Sequence, residues 1–169
     1  MAIIKSVRGF TPEFGKDCFL AETAVVVGEV KMGDNCTVWF NAIVRGDVHS
    51  IIIGDNTNIQ DGAVIHCTYQ KAKTVIGNNV SIAHNAIVHG CTVEDNVLIG
   101  MGAIVMDDAV IGCESVIAAG AVILPGTKVE PGSIYAGTPA RRIKDIGPEM
   151  REVIARTARN YLMYSTWYK

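Results

Sequence analysis

The sequence predicts an all-β fold: a parallel β-helix of hexapeptide repeats forming a triangular prism, followed by one C-terminal α-helix. Three observations carry this expectation. First, an aliphatic residue returns at every sixth position. It runs through Leu20, Val26, Met32, Val38 and Val44, then Ile53, Ile59 and Ile65, then Ile76, Ile82 and Val88. A last run goes from Val93 through Ile99, Val105, Ile111, Ile117, Ile123 and Val129 to Tyr135. Second, four residues after most of these stands a small residue, as at Ala24, Cys36, Ala42, Ala63, Ala86, Ala103, Ser115 and Ala121. Helices repeat at 3.6 residues and ordinary strands at 2, so neither explains a six-residue beat. Fixed hexads mark a β-helix, each hexad forming one flat side of a coil, with the aliphatic residue inward and the small residue letting the chain turn the corner. Third, the beat ends at Gly137-Thr138-Pro139-Ala140 and a helical spacing replaces it.

In chain order, residues 1–19 read as a lead-in strand and loop that cap the first coil. Residues 20–140 form the β-helix, and residues 141–169 a linker and C-terminal helix, all in a single domain. Three places break the beat: Val44 to Ile53 has three extra residues, Ile65 to Ile76 has five, and Val88 to Val93 is one short. Insertions in a solenoid fall at corners and project as loops, often beside a binding site. Gly147-Pro148 supplies a helix start with proline in the first turn. Met150, Ile154, Thr157, Tyr161 and Tyr164 then make one stripe on a helix of about 17 residues, expected to cover one face of the prism. The closing Trp167-Tyr168-Lys169 fits either packing or fraying.

Composition narrows the class. A chain of 169 residues, 49% hydrophobic and 19% charged, suits a solenoid with one continuous core. Its 17 glycines lack a collagen period and fit tight corners. A net charge of −2, with no basic patch alternating with aromatics, argues against nucleic acid. No apolar run approaches the roughly 20 residues that cross a bilayer, and the start lacks the h-region of a signal peptide. Five scattered cysteines, with Cys36 facing inward at a corner, read as a reduced cytoplasmic protein.

Three hexads make one turn, so positions three hexads apart stack one rung apart, about 4.8 Å. His66 and His89 are each second in their hexads and stack on one column, with Arg45 one rung below and Met106 one rung above. His84 is third in its hexad, on the neighbouring side, with Asp61 one rung below it. Two stacked imidazoles can chelate a metal from one chain, whereas His84 would have to come from a neighbouring protomer. The expectation is therefore a metal at a subunit interface, most simply in a cyclic homotrimer. His49, in the first insertion, reads as a solvated loop histidine. Three neutral imidazoles with an open fourth position suit catalytic zinc, the ligand set known from carbonic anhydrase. Iron(II) or cobalt(II) would accept the same nitrogens.

The ordered motifs Arg45-Gly46-Asp47, Asn58-Ile59-Gln60-Asp61, Val64-Ile65-His66, His84-Asn85-Ala86-Ile87-Val88-His89-Gly90-Cys91 and Ile99-Gly100-Met101-Gly102-Ala103 resemble the γ-class carbonic anhydrase family over nearly the whole chain. That resemblance implies a left-handed helix, a homotrimer and three interfacial sites that hydrate CO₂ to bicarbonate. It implies His66 and His89 as metal ligands from one protomer and His84 from the next. Gln60 matches the residue that hydrogen-bonds the metal-bound water or hydroxide. Asp61 and Asn58 match residues that orient ligands and site water, and Arg45 and Asp47 match an interfacial ion pair. Asn160 and Tyr161 are the helix residues expected nearest the site.

The sequence departs from the archaeal prototype in lacking acidic loops: Val48 follows Asp47, and Cys67 to Thr74 contains no acid. It is therefore more similar to the short bacterial branch, with slow hydration expected because the released proton needs a route. His49 is a candidate for that route. Two rivals stand beside the lyase: a hexapeptide-repeat acyltransferase using acyl-CoA, and a non-catalytic metal-binding trimer. Gly137-Thr138-Pro139-Ala140-Arg141-Arg142-Ile143 resembles the closing motif of the acyltransferases, but it terminates this fold across several chemistries.

Overall fold

Hexads become short strands, and the strands line up into three flat faces. The computed structural model describes residues 1–168, and Lys169 lies outside the described residues. The first face carries Ile3–Lys5, the first parts of Val25–Met32 and Ile43–Ile53, then Val64–His66, Ile87–His89, Ile104–Val105 and Val122–Ile123. The second carries Glu13–Phe14, the last parts of those two long strands, then Thr74–Ile76, Thr92–Val93, Val110–Ile111 and Lys128–Val129. The third runs from Phe19–Leu20 through Thr37–Val38, Asn58–Ile59, Ser81–Ile82, Leu98–Ile99 and Val116–Ile117 to Ser133–Gly137. Each rung pairs in parallel with the next, which makes a β-helix of seven coils.

Register converts the sixfold beat into a core. Val26, Val44, Ile65, Val88, Val105 and Ile123 are successive partners on the first face, and none is more than 1% exposed. Burial of each such side chain is worth about 1.5–3 kcal/mol against leaving it in water. The small residues play a different part from the one expected. Ala24, Cys36, Ala42, Ala63, Ala86, Ala103, Ser115 and Ala121 are wholly buried, filling the inside of a corner with no room for more. The turn itself is made one residue earlier, at Asn41, Asn56, Asn79, Asn85 and Asn96, all with φ between 55° and 59°, or at glycines such as Gly62 and Gly102. Asparagine enters this left-handed region more readily than other non-glycine residues, because its short polar side chain can bond locally.

Three expectations change. Residues 1–19 hold more than a lead-in strand and loop: Ile3–Lys5 pairs with Val25–Val27 and Glu13–Phe14 with Lys31–Met32, so the segment that covers the coil starting at Leu20 is itself a rung of the prism. The insertion after Val44 does not project as a loop. It is taken up as a bulge inside one strand, Ile43–Ile53: Gly46 pairs with Gly28 and Ile51 with Val30, so residues 47–50 stand opposite Glu29 alone at the corner between two faces. His49 therefore sits in that bulge. The expected linker holds a strand, Ala140–Asp145, antiparallel to Ser133–Gly137, which covers the otherwise open last rung.

Only the insertion after Ile65 projects, as a turn bridged by Thr68 and Ala72. The helix, Pro148–Ser165, has proline in its first turn and lies over the third face. Its Ile154 and Met150 pack with Val116, Ile146, Leu98 and Ile134. No helix among the described residues is long and apolar enough to cross a membrane.

Asn41, exposed and with φ 59°, isolates the corner constraint. Asn41→Val should lower unfolding stability by about 1–2 kcal/mol, while Asn41→Gly stays close to the parent. Urea unfolding of both variants measures this, and an unchanged midpoint for Asn41→Val would contradict it.

Candidate metal centre

Parallel register makes His66 and His89 direct Cα partners on the first face. Their rings lie 5.1 Å apart between centroids, and His66 Nδ1 stands 3.1 Å from His89 Nε2. Two nitrogens bound at 2.0–2.1 Å to one tetrahedral zinc would stand about 3.3 Å apart, so the pair already has the spacing of two ligands. The outer nitrogens are held by carboxylates. His66 Nε2 is 3.0 Å from Asp47 Oδ1, and His89 Nδ1 is 2.6 Å from Asp107 Oδ1. Arg45 Nη1 donates to Asp47 Oδ2 at 2.6 Å, within one chain.

His84 is not part of this pair. It follows Ser81–Ile82 on the third face, and register puts Asp61 beneath it, with His84 Nδ1 2.9 Å from Asp61 Oδ2. The other nitrogen, Nε2, accepts a hydrogen bond from the Tyr161 hydroxyl at 3.1 Å. Among the described residues, no three His, Cys, Asp or Glu side chains of the single chain gather as a ligand set. Each of the three histidines thus has a carboxylate on one nitrogen; the second nitrogens of His66 and His89 face each other, whereas that of His84 meets the Tyr161 hydroxyl, which a ligand would have to displace. A backing carboxylate fixes tautomer and ring orientation in metal-binding histidines and strengthens the ligating nitrogen.

Next to this, Gln60 Nε2 donates to Asn58 Oδ1 at 3.0 Å, and Asn58 Nδ2 donates to Ser81 Oγ at 2.8 Å. Both amides are buried, at 3% and 1% exposure, so this short chain holds Gln60 rigidly beside Asp61. Neither amide bonds a histidine. Tyr161 is brought to the site, wedged edge-on against Trp39 with centroids 5.4 Å apart. Asn160 makes no side-chain hydrogen bond there among the described residues. His49 Nδ1 accepts the Ser50 N–H at 2.8 Å.

Asp107, Thr68 and Thr74 escaped the sequence reading. Thr68 donates to Asp107, and Thr74 donates to the His66 carbonyl while accepting the Gly90 N–H at 2.9 Å. The signal was the short hexad after Val88. Gly90, with φ 56°, stands where a Cβ would lie 2.5 Å from Asp107 Oδ1, so glycine opens the space through which Asp107 reaches His89.

Charge follows from these contacts. Burial lowers the His66 pKa, and the charges of Arg45 and His89 act with it against the Asp47 hydrogen bond, leaving it below 6.5. Burial alone would raise Asp47 and Asp107. Hydrogen bonds from His66 and Arg45 to the first, and from Thr68 and His89 to the second, outweigh it and hold both below 3.8. Burial, then the Asp61 and Tyr164 charges, push Tyr161 up to about 12, so its hydroxyl stays protonated.

Fold and site together define a hexapeptide-repeat β-helix protein with a carboxylate-backed histidine pair on one face. No family model matches the chain. It is 42% identical over 150 residues to "Probable carbonic anhydrase" of Methanocaldococcus jannaschii, covering 89% of this chain and 94% of that protein. It is 36% identical over 157 residues to "Gamma carbonic anhydrase 2, mitochondrial" of Arabidopsis thaliana, covering 90% of this chain but 56% of the plant protein. The chain thus spans little more than half the length of that relative. Among solved structures, a hexapeptide transferase family protein from Anaplasma phagocytophilum has a TM-score of 0.94 and 36% identity, covering 99% of this chain and 98% of that one. The chain belongs to the γ-class carbonic anhydrase-like family.

The depressed His66 gives a pH prediction with a definite sign. A folded pKa below 6.5 contributes stability above pH 6.5 that is lost as pH falls through the folded value. In chelator-treated protein, NMR titration should find His66 below 6.5, and Arg45→Gln should move it upward by removing a charge that lowers it. A His66 midpoint at or above 6.5 in the parent would contradict this.

Proposed function

We propose that the chain is a metal-dependent carbonic anhydrase-like lyase that hydrates CO₂ reversibly, at sites completed between protomers of a homotrimer. The observation that carries this reading is the His66–His89 pair, 3.1 Å apart between nitrogens, with each ring backed by its own aspartate. His66 and His89 of one chain and His84 of the next would hold the ion, zinc being the first choice and iron(II) or cobalt(II) the alternatives. The first face supports the assembly. Val25, Ile43, Val64, Ile87, Ile104 and Val122 are successive partners along its outward side, an apolar column beside the histidines. The third face has the C-terminal helix as cover, and among the described residues no helix packs over this column.

Bound zinc supplies Lewis acidity that readies a water nucleophile near neutral pH. The chain's residues do the rest. Depressed below 6.5, His66 is neutral at pH 7 and keeps its lone pair for a ligand. Asp47, Asp107 and Asp61 orient the three rings. Asn58 occupies the Gln60 amide nitrogen, which leaves the Gln60 carbonyl oxygen as the end able to accept a hydrogen bond from the nucleophile. Proton export is the weak point, since residues 67–74 carry no acid and His49 has one nitrogen tied to Ser50. The likeness to a hexapeptide transferase family protein favours an acyltransferase as the second reading. Three histidines with three carboxylate partners exceed what a single general base needs.

Anaerobically purified protein should hold about one chelatable transition-metal ion per chain. The same sample should hydrate CO₂ well below the 10⁶ s⁻¹ known from the fastest carbonic anhydrases, and Gln60→Ala should lower turnover while the metal stays bound. Negligible metal, or a metal-loaded protein that turns over acyl-CoA and not CO₂, would overturn the reading.

A further inference from the structure

We propose that Cys18 and Cys36 form a redox-active thiol pair, a site of reversible disulfide formation in which a small-molecule disulfide of the glutathione type is the oxidant. The two residues lie one coil apart in the same column, at the corner between the second and third faces. Phe19 and Leu20 pair with Thr37 and Val38, and the Phe19 N–H donates to the Cys36 carbonyl at 2.9 Å. Adjacent rungs stand about 4.8 Å apart, inside the roughly 4.4–6.8 Å between Cα atoms that a disulfide spans. Both thiols are free. Cys18 is on the first coil, at the edge of the third face, and its thiol donates to the Gly33 carbonyl at 3.2 Å, a hydrogen bond given up when the disulfide closes.

The members are unequal in the way a redox pair requires. Cys18 is partly exposed, while Cys36 is wholly buried and its thiol donates to the Gly54 carbonyl at 3.0 Å. The Cys36 thiol beside Cys18 stabilises the Cys18 thiolate and, against the opposing effect of burial, brings its pKa down to about 7. The Cys18 thiol and burial together push Cys36 up, so it keeps its proton until its partner has reacted. Accessible low-pKa thiols next to a resolving cysteine are the ones that oxidise selectively. Cys67 and Cys91 are buried, and burial raises both, Cys91 to about 12.

The chemistry balances without a further reagent. The Cys18 thiolate attacks one sulfur of the oxidant, forming a mixed disulfide and expelling one thiolate. That thiolate takes the Cys36 proton. Cys36 then attacks the Cys18 sulfur and expels the second thiolate, which takes a proton from water. The protein loses two electrons and two hydrogens, and the oxidant leaves as two thiols. The corner lies away from the first face, so assembly on that face leaves it accessible.

The test uses the full-length chain, incubated near neutral pH with oxidised glutathione and mapped by tryptic digestion under non-reducing conditions. Peptides 17–31 and 32–45 should appear joined and should separate after reduction. Ala42 and Ala63 occupy the same kind of corner as Cys36, so Cys36→Ala is a tolerated control. It should trap Cys18 as a stable glutathione adduct, whereas Cys18→Ala should leave Cys36 unmodified. A parent chain that stays as the Cys18 adduct, shows no reaction at Cys18, or cross-links other cysteines instead would overturn the proposal.

Discussion

Backbone hydrogen bonding between successive rungs fixes the register of this molecule, and everything else is set by which side chains that register stacks. A one-residue slip would turn each inward aliphatic outward, so the core and the site are locked together. The stack that places Ile65 under Val88 also places His66 under His89. The core ladder thus supplies the rigidity that a metal-type nitrogen pair needs, since strands position side chains more tightly than loops do.

The second constraint is local and electrostatic. Three histidines each meet one aspartate, and the aspartates come from different places: the extended strand after Val44, the corner below His84, and the coil above His89. Asp47 also engages Arg45, so one carboxylate couples the cation to the imidazole. Removing the carboxylate would leave Arg45 and His66 without the charge that balances them. The terminal helix joins through one residue, Tyr161, whose protonated hydroxyl meets His84 on the nitrogen opposite Asp61. The cover of the third face and the histidine at its edge are therefore not independent.

Much of this was legible in the residues because the hexad count is a distance ruler. It set His66 against His89 and Asp61 beneath His84, as the register bears out. It did not reveal Asp107, because the missing residue after Val88 let an aspartate cross to the column beside its own through the space at Gly90. Nor did it distinguish an insertion that folds into its own turn, as after Ile65, from one absorbed as a bulge within a strand, as after Val44, because that depends on whether pairing resumes on the same strand below. The strand 140–145 was hidden because it pairs antiparallel and breaks the beat. Asparagine at the corners was visible in the sequence, but its conformational role belongs to the residue before the small one.

The central claim is that a complete site needs two chains, and mixing two incomplete variants tests it most directly. On the proposed trimer, His84→Ala and His89→Ala proteins should each form rings with no complete site. Any ring containing both has one junction where His66 and His89 of the first variant face His84 of the second. Co-refolding should therefore restore tight binding of one metal ion per mixed trimer, verified by native mass spectrometry. Mass-verified mixed trimers that remain without tight metal binding would contradict the account.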